Sequence, residues 1–577
     1  MNKNPPHVLI IGGTGVFGWR LVTGLLEQTE WHIVIAGRDK LRLAAALQRC
    51  EAQPNTAGRT KVQVLDVNTV TADDLASIGV SAVVDAAGPF QGGNYRLASA
   101  AIAAGIHYLD LADARDFVAG FAVLDQAAKQ AGVIALTGVS TTPALSNAVL
   151  DRLTAGWRTV DRVEIAISPG NRAPRGLSVV RAILSYAGRP VRVFTEGRWG
   201  QHSGWGMTVR RAMPGLGRRW LSLADTPDLD IVPARFAVGS SVVLRAGLET
   251  SLLHLGLLAV SMPVRWGLIP ALTPLARPFR WIAGLLEWCG TDRGGMTVEA
   301  TGTDQNGHAI TGLWSLVAEA GDGPFVPTLP ALAALRALAD GRLAQPGASA
   351  CAGVLLLDDI EALLTPHHIR TALRFERATD SLYQRVLGNA FAQLPEPVRN
   401  MHRRSLIARG VARVDGADRL IGRLAAAIFR LPTATEHVPV TVEITAQAGR
   451  ERWVRDFGGR RFASTLSAAP TPGCLLECFG PLRFVLGLPT GPGGIEAMPV
   501  LAWRLGPIPL PRRLAPVSIA TENVDADGRF RFDVELRLPL GFGRLVRYQG
   551  WLVPNEEPSP NRSTGPGLIA TTPHSPC

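Results

Sequence analysis

The chain has 577 residues, of which 47% are hydrophobic and 19% are charged. This composition excludes a mainly disordered or collagen-like protein. Lysine and arginine number 59 against 48 acidic residues, for a formal net charge of +11. A basic chain can bind nucleic acid, anionic lipid or a phosphorylated ligand. The positions of the arginines along the chain indicate which of these partners is favoured. At about 150 residues per domain, the length predicts three or four domains.

The cysteines and the N-terminus both favour a reduced, cytoplasmic protein. No CxxC pair or Cys/His array has the spacing of a metal site, so we expect no metal. The first apolar run, VLII, leads directly into glycines and lacks the longer apolar core of a signal peptide. The most apolar stretch, residues 251–264, ends at Arg265. It is shorter than the roughly 18 to 20 residues that span a bilayer, which predicts a buried helix or an interfacial segment.

Residues 1–150 predict an α/β fold, a Rossmann-like doubly wound parallel sheet. Short apolar runs alternate with helical stretches of about ten residues, a pattern typical of βαβ units whose sheet is covered on both faces. The strand candidates are HVLII, HIVIAG, KVQVLDV, SAVVDAAG, HYLDLA and VIALTG.

Residues 151–380 predict an α+β domain of the kind that binds substrate. Two strand candidates, MTVEATGT and AITGLWSLVAEA, flank Asn306-Gly307, a strong signal for a tight turn, so we expect an antiparallel hairpin. Residues 247–290 form an apolar helical block interrupted by prolines. Its large side chains are Leu252, Leu253, Leu255, Leu257, Leu258, Trp266, Trp281 and Trp288.

Residues 381–553 predict a β-rich antiparallel domain that is helical to about Arg430 and strand-rich after it, as an open sheet, a barrel or a sandwich. A barrel would give room for one small ligand, whereas the simpler interpretation makes the aromatic residues core. These are Trp453, Phe457, Phe462, Phe484, Trp503, Phe530 and Phe532. Residues 554–577 are rich in proline, serine and asparagine, which predicts a disordered tail.

The glycine loop after the first strand predicts a dinucleotide site. A tight turn, a close backbone approach to the pyrophosphate and close helix packing each require a glycine there, and the following helix N-terminus faces the anion. The predicted contacts are Gly12, Gly13, Thr14, Gly15, Val16, Phe17 and Gly18. A structural glycine turn is the alternative.

The end of the second strand favours NADP over NAD. An acidic residue there would bind the ribose of NAD, but the sequence has Gly37 and Arg38, and a guanidinium suits the 2′-phosphate of NADP. Asp39 could oppose this, although it is better placed to cap the next helix.

Two later strand ends complete the predicted cofactor site. Asp66 follows the third strand and is placed to meet the adenine, with a capping role as the alternative. Ala87, Gly88 and Pro89 follow the fourth strand, where small residues allow the nicotinamide ribose to approach.

The runs VLIIGGTGVFGWRLVTGLL, VIAGRDKLRL, VVDAAGPFQGGNYRLASAAIAAGIHYLDLAD and VIALTGVSTTPALSN resemble the saccharopine dehydrogenase-like oxidoreductases. With GDGPFVPTLPALAALRALADG and GVLLLDDIEALL, the resemblance extends over roughly residues 5 to 370. The stretch from 382 to 552 is similar to an uncharacterised bacterial domain found fused to such oxidoreductases. The resemblance implies NADP-dependent hydride transfer on substrates from amino-acid imines to polyketide or fatty enoyl groups.

A proton donor has to come from residues other than the Tyr-x-x-x-Lys pair of short-chain dehydrogenases, because no tyrosine has a lysine four positions later. Tyr108, Asp110 and Asp113 lie at or beyond the carboxyl end of the fifth strand, where open α/β sheets bind ligands. The alternative is packing for Tyr108 and loop capping for the carboxylates. His107, residues 137–143, Tyr186 and His202 are weaker candidates.

We expect a hydrophobic acyl, enoyl or isoprenoid-like substrate, since a small polar one would not need the apolar block. That block could instead pack an interdomain core or a homodimer. One alternative is an amino-acid imine reductase with Arg172, Arg175 and Arg181 clamping carboxylates. Another is a non-catalytic NADP-binding scaffold or ligand-binding protein.

The arginines favour an anionic membrane over nucleic acid as a peripheral partner. Formal charge is −1 over residues 1–150, +4 over 151–380 and +8 over 381–577. Clusters lie at 399–413 and 450–461, among apolar segments, and no nucleic-acid reader motif is present.

Overall fold

The computed structural model describes residues 6–53, 56, 58–174, 176–305, 308–377, 381–403, 405–429, 431–447, 449–506 and 508–554. The chain divides into two compact units, residues 1–377 and 378–577. The predicted fold class is confirmed: a parallel α/β sheet is followed by a mixed sheet and then by an all-antiparallel one. The tail predicted as disordered lies, after Pro554, outside the described residues.

The first unit begins with alternating strands and helices, as the apolar runs predict. Its elements are β1 (His7–Ile11), α1 (Val16–Gln28), β2 (His32–Gly37), α2 (Lys40–Glu51), β3 (Thr60–Val64), α3 (Ala72–Ile78), β4 (Ala82–Asp85), α4 (Arg96–Ala103), β5 (His107–Asp110), α5 (Arg115–Gly120), α6 (Asp125–Ala131), β6 (Ile134–Thr137) and α7 (Ser146–Thr154). A 3₁₀ turn at Phe121–Leu124 and a π turn at Thr141–Leu145 connect them.

The parallel sheet has the order β6-β5-β4-β1-β2-β3, with a seventh strand, Gly347–Ala350, beside β6. Strand order reverses at β1, whose neighbours are β2 and β4. In open α/β sheets a ligand binds in the crevice at such a reversal, outside the carboxyl ends of the strands. The glycine loop lies at this position because it follows β1 directly.

The rest of the first unit forms a mixed sheet flanked by helices. Its elements are β7 (Trp157–Ser168), α8 (Leu177–Tyr186), β8 (Pro190–Thr195), β9 (Arg198–Ser203), β10 (Val209–Met213), β11 (Gly217–Leu223), α9 (Asp228–Arg235), β12 (Ser241–Ala246), α10 (Ser251–Arg265), α11 (Ala276–Leu285), β13 (Gly294–Asp304), β14 (Ala309–Ala318), α12 (Leu329–Ala339), β15 (Gly347–Ala350), α13 (Leu357–Glu361) and β16 (Ile369–Arg377). Four 3₁₀ turns lie at Thr273–Leu275, Glu287–Cys289, Gly323–Thr328 and Ala362–Leu364.

The mixed sheet has the order β10-β11-β12-β7-β13-β14-β16, and β8 and β9 attach to β12. The predicted hairpin is confirmed, since β13 and β14 pair antiparallel along their length. Its expected turn, Asn306-Gly307, lies outside the described residues. A buried ion-pair network joins the two sheets: Arg115 donates to Asp230 at 2.5 Å and to Asp225 at 3.1 Å.

Helices α10 and α11 and the turns around them carry the apolar block. One side packs: Leu257, Val264, Leu272 and Ala276 are buried with Trp205. The other side faces solvent, so of the two expectations for residues 251–264, a buried helix and an interfacial segment, full burial is wrong. The exposed side chains are Leu252, Leu255, Val260, Trp266, Leu268, Ile269, Leu275, Trp281, Ile282, Leu285 and Trp288, which we call the apolar face.

The second unit begins with three short helices, and its strands pair antiparallel. The expectation of helix up to about Arg430 is wrong for Leu406–Asp415, which form a strand. Its elements are α14 (Leu382–Leu387), α15 (Asn389–Gln393), α16 (Glu396–His402), β17 (Leu406–Asp415), α17 (Leu420–Ile428), β18 (Thr435–Gln447), β19 (Arg450–Phe457), β20 (Arg460–Ala468), β21 (Cys474–Phe479), β22 (Leu482–Gly487), β23 (Thr490–Gly491), β24 (Gly494–Ile495), β25 (Val500–Leu505), β26 (Ile508–Leu510), β27 (Val517–Val524), β28 (Phe530–Arg537) and β29 (Arg544–Pro554). Two 3₁₀ turns lie at Arg512–Leu514 and Pro539–Gly541.

These strands form one 13-stranded sheet in the order β23-β24-β27-β28-β29-β17-β18-β19-β20-β21-β22-β25-β26. Alternate residues of each strand face one side, where a continuous apolar cluster forms. Residues from β18 to β22 and from β27 to β29 meet in this cluster, so the sheet curves around its own inner face.

Candidate functional site

A cavity of about 1100 Å³ opens at the reversal point of the parallel sheet. One wall consists of the glycine loop and of the chain that follows β2, β3 and β4. The opposite wall comes from the start of α8 and from α11 with the turn after it. The cavity therefore lies between the parallel sheet and the helices of the substrate-type domain, within the first unit.

The glycine loop can have the observed shape only without side chains at three positions. Gly12 has φ +72°, and a Cβ there would lie 2.9 Å from Ala87 Cα. A Cβ on Gly18 would lie 2.3 Å from the carbonyl oxygen of Gly12, and one on Gly13 would lie 2.7 Å from Ile35. Gly13 and Gly18 therefore pack the loop from behind, and Gly12 itself lines the cavity.

The N-terminus of α1 points its first amides at the cavity. The residue before the helix is Gly15, which supplies no capping side chain, and the first turn contains no acidic residue. Thr14, Gly15, Val16 and Phe17 all line the cavity. Uncapped amides and the positive end of the helix dipole favour an anion such as a pyrophosphate. The loop thus fits the phosphates of a dinucleotide.

Basic side chains surround the end of β2. Arg38, predicted to meet the 2′-phosphate, is exposed and lines the cavity. Asp39 caps α2, accepting hydrogen bonds from the amides of Leu41 at 3.0 Å and Arg42 at 3.1 Å. This is the capping role expected for it. Arg42 also lines the cavity, and its Nε lies 3.3 Å from Asp39. Sequence reasoning missed Arg42, although its position one helical turn after Asp39 was a usable signal.

The chain after β3 lines the cavity through different side chains from the one predicted. Leu65, Val67 and Asn68 line it, whereas Asp66 does not. The Asp66 carboxylate accepts hydrogen bonds from the backbone amide and the side-chain amide of Asn68, both at 3.0 Å. The structure therefore gives Asp66 the capping alternative. Two apolar side chains and an amide remain to contact an adenine.

The loop after β4, predicted to meet the nicotinamide ribose, lines the cavity through Ala87, Gly88 and Pro89. The carboxylate of Asp85 stabilises its start, accepting a hydrogen bond from the Ala87 amide at 2.9 Å. Burial raises the pKa of Asp85 to about 6. Small residues at 86–88 leave the cavity open where a nicotinamide ribose is expected.

Tyr108 and Asp110 lie behind the cavity wall and line none of it. Tyr108 is only 1% exposed and stacks on Phe121 with ring centroids 5.9 Å apart. His107 likewise has a structural contact, accepting the amide of Ile134 at 3.0 Å. The position of Tyr108 and Asp110 corrects the prediction that they donate a proton, because both point into protein interior.

Asp110 joins the loops that follow β5 and β6. Its Oδ1 accepts hydrogen bonds from the Gly138 amide at 2.8 Å, the Thr137 hydroxyl at 2.9 Å and the Ala112 amide at 3.0 Å. Burial outweighs these contacts and raises the pKa of Asp110 to about 7. The hydroxyl of Thr137, in the segment 137–143, thus satisfies this carboxylate instead of a ligand.

Asp113 is the one predicted donor that reaches an accessible position. It is exposed after β5 and accepts a hydrogen bond from Gln91 Nε2 at 3.3 Å. Gln91 follows the cavity-lining Pro89 by two residues. Tyr186, a weaker candidate, does not line the cavity. Burial raises the pKa of its hydroxyl, and the carboxylates of Asp225 and Asp113 raise it further.

Two further arginines line the opposite wall, Arg181 from α8 and Arg280 from α11. With Arg38 and Arg42 they outnumber the lining carboxylates Asp39 and Glu287. The cavity is therefore electropositive and suits a polyanionic ligand. Arg280 was not predicted, because nothing in the sequence indicates that α11 faces the glycine loop.

The remaining candidates lie elsewhere. Arg172 is exposed and does not line the cavity, His202 lies in β9 away from it, and Arg175 falls outside the described residues. The described part of the chain contains no cluster of His, Cys, Asp and Glu suited to a metal ion. In the same part, every helix is too short or too polar to cross a membrane.

Family comparisons agree with this geometry. Residues 8–136 match the saccharopine dehydrogenase NADP binding domain, and residues 394–552 match a domain of unknown function, DUF4166. The resemblance found in the sequence is confirmed for both regions. The chain thus carries an oxidoreductase-type domain that binds NADP(H).

Several solved structures are similar to parts of this chain at low sequence identity. Apo saccharopine dehydrogenase (L-Glu forming) from Saccharomyces cerevisiae is 12% identical, with a TM-score of 0.48 over 64% of this chain and 100% of that one. A Gfo/Idh/MocA family oxidoreductase from Vibrio cholerae is 12% identical, with a TM-score of 0.28 over 63% of this chain and 98% of that one. A search of curated proteins finds no match.

Proposed function

We propose that the chain is an NADPH-dependent reductase of a hydrophobic acyl, enoyl or isoprenoid-like substrate. One observation carries the proposal: α11 lines the cofactor cavity with Arg280, Ala283 and Gly284 and carries Trp281, Ile282 and Leu285 on the apolar face. A single helix thus connects the cofactor cavity to a surface suited to apolar molecules.

The proposed cofactor pose follows the lining residues. Arg38 and Arg42 bind the 2′-phosphate, and the amides at the start of α1 bind the pyrophosphate. The loop 87–89 receives the nicotinamide ribose, which places the nicotinamide near Gln91. When bound, the cofactor supplies a hydride from its nicotinamide ring.

A reduction by hydride also needs a proton, and our candidate for its source is Asp113. Asp113 is exposed after β5 and accepts a hydrogen bond from Gln91 Nε2 at 3.3 Å. Gln91 follows the cavity-lining Pro89 by two residues, which connects Asp113 to the proposed nicotinamide end. A general acid has to be protonated before it donates, and desolvation raises the pKa of the Asp113 carboxyl in that direction.

The apolar face supports a hydrophobic substrate. Contiguous exposed apolar surface of this extent marks an interaction site in soluble proteins, and tryptophans are favoured at lipid–water interfaces. Trp281 is 67% exposed and Trp288 is 76% exposed. Arg265 and Arg277 are exposed on the same helices, which suits an anionic lipid surface. We propose that substrate reaches the cavity from such a surface.

The amino-acid alternative has less support. Of its three proposed clamp residues, Arg181 lines the cavity, Arg172 does not, and Arg175 lies outside the described residues. Two guanidiniums are needed to hold two carboxylates in fixed positions.

The test is NADPH oxidation by the full chain with two substrate sets: enoyl and oxo-acyl thioesters of increasing chain length, and imines formed from amino acids and oxo acids. We expect turnover to rise with chain length and to require NADPH, with little from NADH. Preference for the imines would establish the alternative. NADPH binding without turnover in either set would favour the non-catalytic scaffold.

A further inference from the structure

The curved sheet of the second unit encloses a cavity of about 400 Å³. Protein interiors are close-packed, and voids larger than a water molecule are few. A cavity of this size instead falls in the range of small-molecule binding sites, roughly 300 to 1,000 Å³. All seven aromatic residues that the sequence assigned to the core of this unit line the cavity, so they form its walls.

The walls are apolar over nearly their whole extent. Strands β19 to β22 supply Trp453, Phe462, Leu475 and Phe484, and the facing strands β27 to β29 supply further leucine, valine and phenylalanine side chains. Such a lining favours a hydrocarbon body and disfavours a sugar, a nucleotide or a peptide, whose polar groups would lose their hydration without partners.

One cationic side chain, Arg455, reaches into this lining. It lies over the rings of Trp453 at 5.0 Å and Phe462 at 5.7 Å, which stabilises its position. It donates a hydrogen bond to Ser464 Oγ at 3.0 Å, and its Nη2 lies 4.0 Å from Glu477. A guanidinium has five N–H donors, more than these contacts use. Arg455 therefore offers donors to an oxygen acceptor on a ligand.

The other acidic group of the lining, Glu522, has its own partner. Its carboxylate is 2.6 Å from His402 Nε2, and the ring of His402 stacks on Tyr383 with centroids 3.7 Å apart. Because Glu522 is paired with His402, Arg455 is the group best placed to bind the polar end of a ligand. The cavity is therefore asymmetric, with one hydrogen-bonding end and a long apolar remainder.

The cavity reaches the surface at one end. Leu514 lines it and is still 41% exposed, and Ala425 and Phe429 of α17 line it beside the turn at Pro539. The same segments expose Leu424 and Leu540 to solvent. An apolar rim of this kind lets a hydrocarbon chain enter without first passing a polar barrier.

We propose that residues 378–577 bind one fatty-acid-like molecule, with its hydrocarbon chain in this cavity and its carboxylate at Arg455. The observations that carry this proposal are the cavity volume, its aromatic walls and its single cationic end. It concerns a site separate from the cofactor cavity and does not depend on the proposed reductase activity.

The experiment uses the delipidated full chain and cis-parinaric acid, a fluorescent fatty acid, in a titration followed by probe fluorescence. Trp453 and Trp503 line the cavity, so a probe bound there receives energy transfer from tryptophan. The cavity-filling variants distinguish this signal from transfer by tryptophans of the apolar face. We expect saturation at about one probe per chain and competition by oleic acid. Absence of saturable binding by folded protein would overturn the proposal.

Two matched variants locate the site. Ala520 is buried on the inner face of β27, and Ile519 is 47% exposed on the outer face of the same strand. Ala520→Phe fills the cavity and should weaken probe binding at least tenfold, whereas Ile519→Phe should leave it unchanged. Ala425→Phe, on the half-buried helix α17, repeats the test should Ala520→Phe fail to fold. Normal binding by a folded cavity-filling variant would place the ligand elsewhere.

The role of Arg455 is tested by comparing two ligands in competition with the probe. Arg455→Gln should weaken competition by oleic acid about tenfold and leave competition by oleyl alcohol unchanged, because only the acid offers a carboxylate to the guanidinium. Equal effects on acid and alcohol would show that Arg455 does not bind the polar end.

Discussion

The two cavities of this protein differ in size, in polarity and in the way they are encoded. The cofactor cavity measures about 1100 Å³ and is lined by backbone amides and several arginines. The cavity of the second unit measures about 400 Å³ and is lined mostly by aromatic and aliphatic side chains, with one arginine. The first suits a polyanion, and the second suits a hydrocarbon.

The comparison teaches that a site made of backbone is far easier to find in a sequence than one made of side chains. The cofactor cavity depends on a compact loop between β1 and α1, in which glycines must occur at particular spacings. The apolar cavity depends on alternate residues of strands separated by more than a hundred positions. Such residues have the same pattern as any β-sheet core.

The largest effect should come from the glycine loop. Gly18→Ala introduces a Cβ that would lie 2.3 Å from the Gly12 carbonyl oxygen, so the loop must move. We expect NADPH affinity to fall by about a hundredfold or more, measured by calorimetric titration. Gly24→Ala, in the same helix, would meet only Leu332 at 3.8 Å and should bind NADPH normally. Equal affinities for the two variants would contradict the backbone account of this site.

Arg38 should decide cofactor choice. Arg38→Asp removes the partner of the 2′-phosphate and offers a carboxylate to the ribose of NADH. We expect NADPH affinity to fall about a hundredfold and NADH affinity to rise. Arg49→Asp, which changes an arginine of α2 outside the cavity lining, is the control. An unchanged preference in Arg38→Asp would refute the assignment of the 2′-phosphate site.

Asp110 should produce a measurable pH dependence of stability. Its pKa is raised from 3.8 to about 7 in the folded state, so its contribution is favourable at low pH and is lost as pH rises through 7. At 1.4 kcal/mol per pKa unit, the two units between pH 5 and the folded pKa of about 7 predict that the free energy of unfolding falls by about 3 kcal/mol between pH 5 and pH 8 through this group. The Asp110→Asn variant should lack this contribution, so its denaturant midpoint should fall less between pH 5 and pH 8 than that of the unmodified protein. The same fall in both proteins would count against a protonated Asp110.

The smallest effect is expected at the apolar face. Replacing Trp281 and Trp288 with alanine should weaken binding to vesicles that contain anionic lipid by about tenfold in a flotation assay, because interfacial tryptophans contribute modestly and additively. Leu41→Ala removes a side chain that is 84% exposed on α2, away from this face, and should bind vesicles normally. Loss of binding in both variants would point to a nonspecific effect.

Much of the fold was predictable because the apolar patterns are local. The parallel strands, the β13–β14 hairpin and the antiparallel character of the last region all follow from residues adjacent in sequence. The place of β15 did not, since it pairs with β6 in the first sheet from more than two hundred residues away. Nothing in a four-residue strand such as GASA indicates which strand it pairs with.

The candidate site was predictable in part, for the same reason. Arg38 and the loop 87–89 follow strand ends, and strand ends can be placed from sequence. Tyr108 and Asp110 also lie at a strand end, but their side chains are buried in the protein interior. Arg280 was missed because it enters the site from a helix whose packing against the first domain is not encoded locally.

By itself, the sequence determined the NADP-binding loop, the class of each sheet and the apolar character of the α10–α11 region. Only the tertiary structure decided that one side of that region faces solvent beside the cofactor cavity, and that the aromatic residues of the last sheet surround space instead of filling it. The physical reason is common to both. A hydrophobic sequence pattern indicates that the residues pack against something apolar. The exposure of one helix face and the volume of a cavity depend on which distant elements pack together.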